Sequence, residues 1–206
     1  MNLDALQLAE LVCARVCHDL GGLVGTLAGT LELAQEGGDN EAVALGREAA
    51  DMLVRRLRLL RAALGPVSEP LDAAGVADLA AGLGERLRVD VCDLGSRLLP
   101  AQQARLALAM LLLGAEALPM GGSLRLSTDA GGVLRVAASG PRAAWPSSVI
   151  QGLAGAPPES ARTLFAPLCA LLALSAGMSL TTEAVPPALC AAPLEMAPTL
   201  TASGAS

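Results

Sequence analysis

The first 64 residues carry apolar side chains at alternating steps of three and four, the spacing of an amphipathic helix. This pattern predicts one long helix over residues 4–36 and a second over 41–64. The apolar seam of the first helix comprises Ala9, Cys13, Val16, Leu20, Leu23, Leu27, Thr30 and Ala34. Glycines followed by an acid and an amide in "EGGDN" at 36–40 favour the end of one helix and the start of the next. The two helices therefore form an antiparallel hairpin, which needs a second copy to complete a four-helix bundle.

After the "GPVSEP" linker at 65–70, helical and strand-like patterns alternate along the chain. They predict helices at 72–86, 100–118 and 159–175, and strands at 86–91, 123–128, 132–138, 178–184 and 189–195. A proline-rich loop precedes the last helix, and the last ten residues are expected to fray. The fold class is α+β, with helices on one face of a mixed or antiparallel sheet. We predict two domains, a helical hairpin over 1–68 and an α/β sandwich over 69–206.

Composition excludes several classes of function. Hydrophobic residues make up 53% of the chain but aromatic residues only 1%, so Leu, Ala and Val must build the core. With so few aromatic rings and a net charge of −6, neither a stacking platform nor a basic surface for nucleic acid is expected. All fourteen basic residues are arginines, which rules out a Schiff-base lysine and a P-loop lysine.

The chain is expected to be cytoplasmic. Its N-terminus lacks the basic segment of a signal peptide. The uncharged stretch 163–182 is long enough to span a membrane, but it contains Pro167 and polar ends, so a buried helix followed by a strand is expected. The five cysteines form no CxxC pair, which favours small buried thiols in a reducing compartment and no metal site.

The chain has a single histidine, His18, followed directly by Asp19. His18 lies two positions from Val16 and from Leu20, or about 200° around the helix, and so faces away from the seam. Glycines share its face, although each lowers helix stability by about 1 kcal/mol relative to alanine. Two interpretations remain open at this point. The helix either tolerates small residues beside a solvated histidine, or it keeps space for a docking protein.

The second helix brings arginines to the height of His18. Reflecting position 18 through the turn of the hairpin leads to position 57, and four arginines surround it: Arg55, Arg56, Arg58 and Arg61. Guanidinium groups suit phosphate and carboxylate, and a neutral imidazole is a competent nucleophile near pH 7. A solvated charged face is the alternative interpretation of the same arginines.

Three segments together resemble a known family. "LVCARVCHDLGGLVGTLAGTLELAQE" at 11–36 is similar to the phosphoacceptor helix of dimeric histidine-kinase hairpins, and most of all to the ChpT-type histidine phosphotransferases of alphaproteobacteria. "LLLGAEALPMGGSLRLS" at 111–127 stands in the place of the kinase N-box helix and the strand after it. "VAASGPRA" at 136–143 stands in the place of the nucleotide-binding glycine box. The resemblance extends over nearly the whole chain.

The departures from the kinase pattern concern the nucleotide site. Gly114 or a neighbour stands where a kinase holds Mg²⁺ with asparagine, and Ala138 and Ser139 stand where an aspartate reads adenine. No glycine-rich lid is evident. The resemblance therefore implies a degenerate Bergerat-type ATPase domain that binds neither ATP nor another cofactor. "HDLGG" also departs from the commoner Ser-Pro after His-Asp-Leu, which bears on the fit to a partner.

The resemblance implies a phosphotransferase that carries a phosphoryl group between receiver domains, with Mg²⁺ in the acidic pocket of the receiver. His18 would be the phosphoacceptor, and Asp19 would orient its ring or bind receiver backbone. An ordinary surface acid is the alternative interpretation of Asp19. A hybrid kinase such as CckA is implied upstream, and regulators such as CtrA and CpdR downstream, with the chain acting as a homodimer. The residues predicted to contact the partner are Arg15, Gly22, Gly25, Arg55 and Arg58.

Two other functions stay open. A non-catalytic dimeric adaptor or inhibitor could dock on receivers or kinases through the same surface, in which case binding would not depend on His18. An active ATP-dependent kinase is the third possibility, and it conflicts with the missing polar groups. The sequence names neither the cognate receivers, nor the direction of transfer, nor the partner contacts of the second domain, nor whether Gly21 and Gly22 tune specificity.

Overall fold

A computed structural model describes residues 5–37, 40–66, 69–184 and 186–194. The chain begins with two long helices, α1 (Ala5–Gly37) and α2 (Asn40–Leu64), as the apolar period predicts. They run antiparallel, because Asp19 contacts Arg56 whereas Thr30, farther along α1, faces Gly46. A side chain at Gly46 would meet the Thr30 hydroxyl at 3.2 Å, so the glycine permits this close approach. The predicted cap positions 38 and 39 lie outside the described residues.

The rest of the chain builds one sheet with helices against it. Its helices are α3 (Ala73–Ala80), α4 (Ala101–Ala115), α5 (Ser147–Leu153) and α6 (Phe165–Ser175). Its strands are β1 (Leu87–Asp90), β2 (Gly122–Thr128), β3 (Leu134–Ser139), β4 (Met178–Glu183) and β5 (Ala188–Pro193). Every predicted helix and strand has a counterpart, and the α+β class is confirmed.

The sheet is mixed and has the strand order β1-β2-β3-β5-β4. The pair β1 and β2 is parallel, because α4 returns the chain to the same end of the sheet. The other neighbours are antiparallel, and Leu126 stands opposite Val136 in the β2–β3 pair. Gly121 and Gly122 turn the chain into β2 with φ of +78° and +146°, a region that favours glycine.

The main core lies between the sheet and α4 with α6. Helix α4 is buried over ten residues, and its Gly114 packs against Leu124 and Val136, where an added Cβ would stand 3.1 Å from each side chain. Leu59 and Leu60 of α2 belong to the same core. The hairpin and the sheet therefore share one hydrophobic core, and a domain boundary between residues 68 and 69 stays a prediction.

Three local expectations differ from the structure. The proline-rich segment predicted as a loop contains the short helix α5, which Pro146 precedes and which buries Val149. The helix predicted from 159 starts at Phe165, after a 3₁₀ turn over Ala161–Thr163. Cysteine burial was wrong for Cys13, Cys17 and Cys92, which are exposed, whereas Cys169 is buried. The last ten residues, which were predicted to fray, lie outside the described residues.

The uncharged stretch 163–182 forms the buried helix α6 followed by β4, as predicted. Among the described residues, α1 is the one helix long and apolar enough to cross a membrane by length and composition, and it is weak evidence for a membrane span. Its apolar side chains Leu6, Val24 and Leu31 are each about half or more exposed.

Candidate functional site

His18 lies in the middle of α1 with 61% of its side chain exposed. It is turned away from the seam residues Val16 and Leu20, which pack against the main core, as the helical period predicts. Its Nδ1 lies 3.4 Å from Oδ1 of Asp19, at the long end of hydrogen-bond range. A carboxylate only accepts hydrogen bonds, so this contact favours the tautomer with a proton on Nδ1 and a free lone pair on Nε2.

Asp19 is held from two sides. Its side chain is only 7% exposed. Oδ1 accepts from Nε of Arg15 at 3.0 Å, and Oδ2 accepts from Nη2 of Arg56 at 2.5 Å. Because each oxygen has its own guanidinium, the plane of the carboxylate is fixed and Oδ1 stays beside the imidazole.

Arg15 joins α1 to the rest of the molecule. Its Nη1 donates to Oε1 of Glu116 at 3.3 Å and to the backbone carbonyl of Arg162 at 3.1 Å. Its guanidinium also lies 4.3 Å from the ring centroid of Phe165, the only phenylalanine of the chain. Nε and Nη1 of Arg15 thus donate within the chain, and its predicted contact with a partner stays a prediction.

Glu116 directly follows α4 and is largely buried. Burial raises the pKa of its carboxyl and the charge of Asp19 adds to this, while the adjacent Arg15 guanidinium works in the opposite direction. Burial also raises the pKa of the neighbouring Cys169 thiol, helped by the charge of Glu116. Asp19 and Glu116 therefore share Arg15, and Asp19 also pairs with Arg56.

Of the four arginines that the hairpin reflection placed at the height of His18, Arg56 contacts Asp19, and the partner contacts of Arg55 and Arg58 stay a prediction. Arg58 pairs with Asp78 at 2.6 Å on the surface, and Arg55 is exposed. Arg56 reaches the site because it lies three and four positions before the buried Leu59 and Leu60, on the same helix face. That spacing is readable in the sequence and would have selected Arg56.

Other predicted residues lie where the pattern placed them. Gly22 and Gly25 lie exposed on α1, and a Cβ added at either would meet no atom within 4 Å. Within the described part of the chain, no group of three His, Cys, Asp or Glu side chains is placed to hold a metal ion. The surface beside His18 is therefore open, and the charged groups nearest to it already bind one another.

Comparison with known proteins adds the family. The sequence model of the family described as histidine phosphotransferase C-terminal domain matches residues 71–187, more than half of the chain. The chain belongs to this histidine phosphotransferase family. The matched segment includes Glu116 but not the helix that bears His18, so the site on α1 rests on the geometry above.

Two relatives of this family member extend the comparison. The "Protein phosphotransferase ChpT" of Brucella abortus (strain 2308) is 35% identical over 134 residues, which is 63% of this chain and 64% of that protein. The chain thus matches just under two thirds of the length of this relative. A solved structure titled as a bacterial phosphotransferase aligns with a TM-score of 0.78 and 29% identity, over 93% of this chain and 97% of that one. Helical hairpin and sheet are therefore both found together in a solved relative.

Proposed function

We propose that this chain is a histidine phosphotransferase of a multistep phosphorelay, with His18 as the residue that carries the phosphoryl group. One observation carries the proposal: the sole histidine is exposed, and its Nδ1 faces a carboxylate fixed by two arginines. The family, and the name of the Brucella abortus relative, agree with this function.

The geometry supports a direct displacement. With the proton on Nδ1 beside Asp19, the free Nε2 lone pair of the exposed His18 ring attacks the phosphorus of an aspartyl phosphate on a receiver domain. The bond from phosphorus to the receiver carboxylate breaks as the N–P bond forms, and the receiver aspartate leaves as a free carboxylate. Nδ1 keeps its proton throughout and donates it to Asp19, and the reverse step delivers the phosphoryl group to a second receiver. Catalysis consists mainly of positioning and charge neutralisation.

The proposed partners are receiver domains, of a CckA-like hybrid kinase upstream and of CtrA-like and CpdR-like regulators downstream. Mg²⁺ would belong to the receiver. Gly22 and Gly25 would let the receiver approach, and Arg55 and Arg58 would contact its acidic surface. No nucleic acid is expected as a partner.

We further propose that the chain binds no ATP. In this structure, Gly114 and Ala138 lie buried in the packing between α4 and the sheet, so neither position offers a polar group to a nucleotide. A calorimetric titration with ATP and Mg²⁺ tests this, and saturable binding would contradict it and favour an active kinase.

The apolar stripes left uncovered on the hairpin support a homodimer. Val24 and Leu31 on α1, and Val54 and Leu57 on α2, are each about half exposed in the single chain. Stripes with this spacing are typical of helices that complete a four-helix bundle with a second copy.

Free exposed cysteines fit a reducing compartment, and we propose that the protein is cytoplasmic.

The test is uptake of phosphoryl group from a phosphorylated receiver carrying radiolabel. Wild-type protein should become labelled, and His18→Ala should not, whereas Glu183→Ala, which removes a surface carboxylate paired with Arg135, should label normally. His18 is exposed, so its replacement leaves the core intact. Equal labelling of His18→Ala and wild type would refute the proposal. Binding of the receiver without any label, and indifferent to His18→Ala, would instead support the adaptor function.

A further inference from the structure

A chain of contacts connects His18 to the part of the molecule that resembles a kinase nucleotide site. His18 Nδ1 and Arg15 Nε share one oxygen of Asp19, at 3.4 Å and 3.0 Å. The other end of the same guanidinium donates to Glu116, 101 positions away in sequence. Glu116 stands at the end of α4, within the segment that resembles an N-box.

We propose that Glu116 is a positioning residue for phosphoryl transfer on His18, acting through Arg15 on the carboxylate of Asp19. The residue touches neither the imidazole nor an incoming receiver. Its effect is to fix where the Arg15 guanidinium lies, and thereby where Oδ1 of Asp19 lies relative to Nδ1 of His18.

Among the contacts described for Arg15 outside α1, Glu116 supplies the only negative charge. The other two are the backbone carbonyl of Arg162 and the ring of Phe165. Both hydrogen bonds from Nη1 have an ionised donor, but only the bond to Glu116 joins opposite charges, so Glu116 is the contact that best fixes the Nη1 end of the guanidinium. Without it, the Nε donor on Asp19 is free to shift, and the long contact from Asp19 to His18 is the first to be lost.

In this arrangement the C-terminal part of the chain, which contains Glu116, helps to position the site on α1 in addition to its architectural role. The Arg15 side chain is 13% exposed and the Glu116 side chain 20%, so the pair is shielded from solvent and less screened than a surface ion pair. Arg56 holds the other oxygen of Asp19 from α2. The Asp19 carboxylate is thus held by Arg56, which needs only the hairpin, and by Arg15, whose position depends on Glu116 in the C-terminal part.

The first test needs no receiver. Because His18 is the only histidine, the imidazole ¹⁵N signals of uniformly labelled protein belong to it without further assignment. At a pH where the ring is neutral, they report the fraction of the Nδ1–H tautomer. We expect this fraction to fall about twofold or more in Glu116→Ala and in Glu116→Leu, which fills the space without an acceptor. Glu116→Gln keeps an acceptor oxygen but loses the charge, so its fraction should lie between those of wild type and Glu116→Ala.

The second test rests on the proposed function and measures the rate of phosphoryl uptake from a phosphorylated receiver. Glu116→Ala and Glu116→Leu should slow uptake by about tenfold, the scale of a small misplacement of a reacting group. Glu116→Gln keeps an acceptor oxygen but loses the charge, so its rate should lie between those of wild type and Glu116→Ala. Glu183→Ala, which breaks the surface pair with Arg135, is the matched carboxylate deletion and should change neither readout.

The two tests separate the two proposals. An unchanged tautomer fraction in both Glu116→Ala and Glu116→Leu overturns the inference, whatever the transfer rates are. If wild type takes up no phosphoryl group while the tautomer fraction shifts, the proposed function fails and the coupling of Glu116 to His18 stands. If wild type transfers and both variants match it in rate and tautomer, the proposed function stands and the inference fails.

Discussion

The glycines beside His18 offer a quantitative prediction. Gly22 and Gly25 lie inside α1, and an added Cβ would have no atom within 4 Å at either position. Replacing each by alanine therefore adds helix propensity without a clash. The expected gain is about 1 kcal/mol in the free energy of unfolding for each substitution, and about 2 kcal/mol for the pair if the effects add.

The measurement is urea unfolding, followed by far-UV circular dichroism and by the fluorescence of Trp145, the only tryptophan. In a thermal scan of the same variants, a change of about 1 kcal/mol corresponds to roughly 2–4 °C in Tm for a chain of this size. Because α2 and the sheet share one core, we expect the two probes to report the same transition.

Gly82→Ala is the matched control. A Cβ there would stand 2.4 Å from the backbone carbonyl of Arg55 and 2.8 Å from the Leu59 side chain, so the same substitution should destabilise by about 1–3 kcal/mol. Destabilisation by Gly22→Ala or Gly25→Ala in the free protein would refute the reasoning, because it would mean that this face of α1 is covered. Slower phosphoryl uptake by a stabilised double variant would show that the glycines give a receiver clearance, and unchanged uptake would show that they are incidental.

Three further predictions follow from burial and charge. Burial raises the pKa of Glu116 in the folded state, so ionising this carboxyl lowers the free energy of unfolding as the pH rises. Glu116→Gln removes this loss and should raise the free energy of unfolding at neutral pH, by a difference that shrinks as the pH falls. A loss of stability at neutral pH would contradict this. When thiols of the native protein are labelled and read by mass spectrometry, the exposed Cys13 and Cys17 should react first. Cys169 is buried and its pKa is raised, so it should react only when the protein unfolds. Early reaction of Cys169 would disprove its burial. Leu57→Glu, on the exposed stripe of α2, should lower the sedimentation mass toward one chain, and an unchanged mass would place the dimer contact elsewhere.

The sequence by itself determined most of the helices and strands and the exposure of His18, because both follow from the spacing of apolar residues along the chain. The alternation of three and four places Val16 and Leu20 inward and the histidine outward, whatever else the chain does. Glycines and prolines stand beside several element ends, such as Gly65 and Pro66 after α2 and Pro100 before α4. The helix α5 was missed because its seven residues, about two turns next to prolines, are too short to show an apolar period.

The tertiary structure decided which charges meet. Reflection through the hairpin gave the height of the arginines within a residue or two, but one residue on a helix is a rotation of about 100°, so Arg56 rather than Arg55 or Arg58 reaches Asp19. Glu116 could not be foreseen, since its partner Arg15 lies 101 positions away and meets it only after α4 packs under the hairpin. Local period fixes the direction of a side chain on its own element, whereas pairing between elements depends on how they pack.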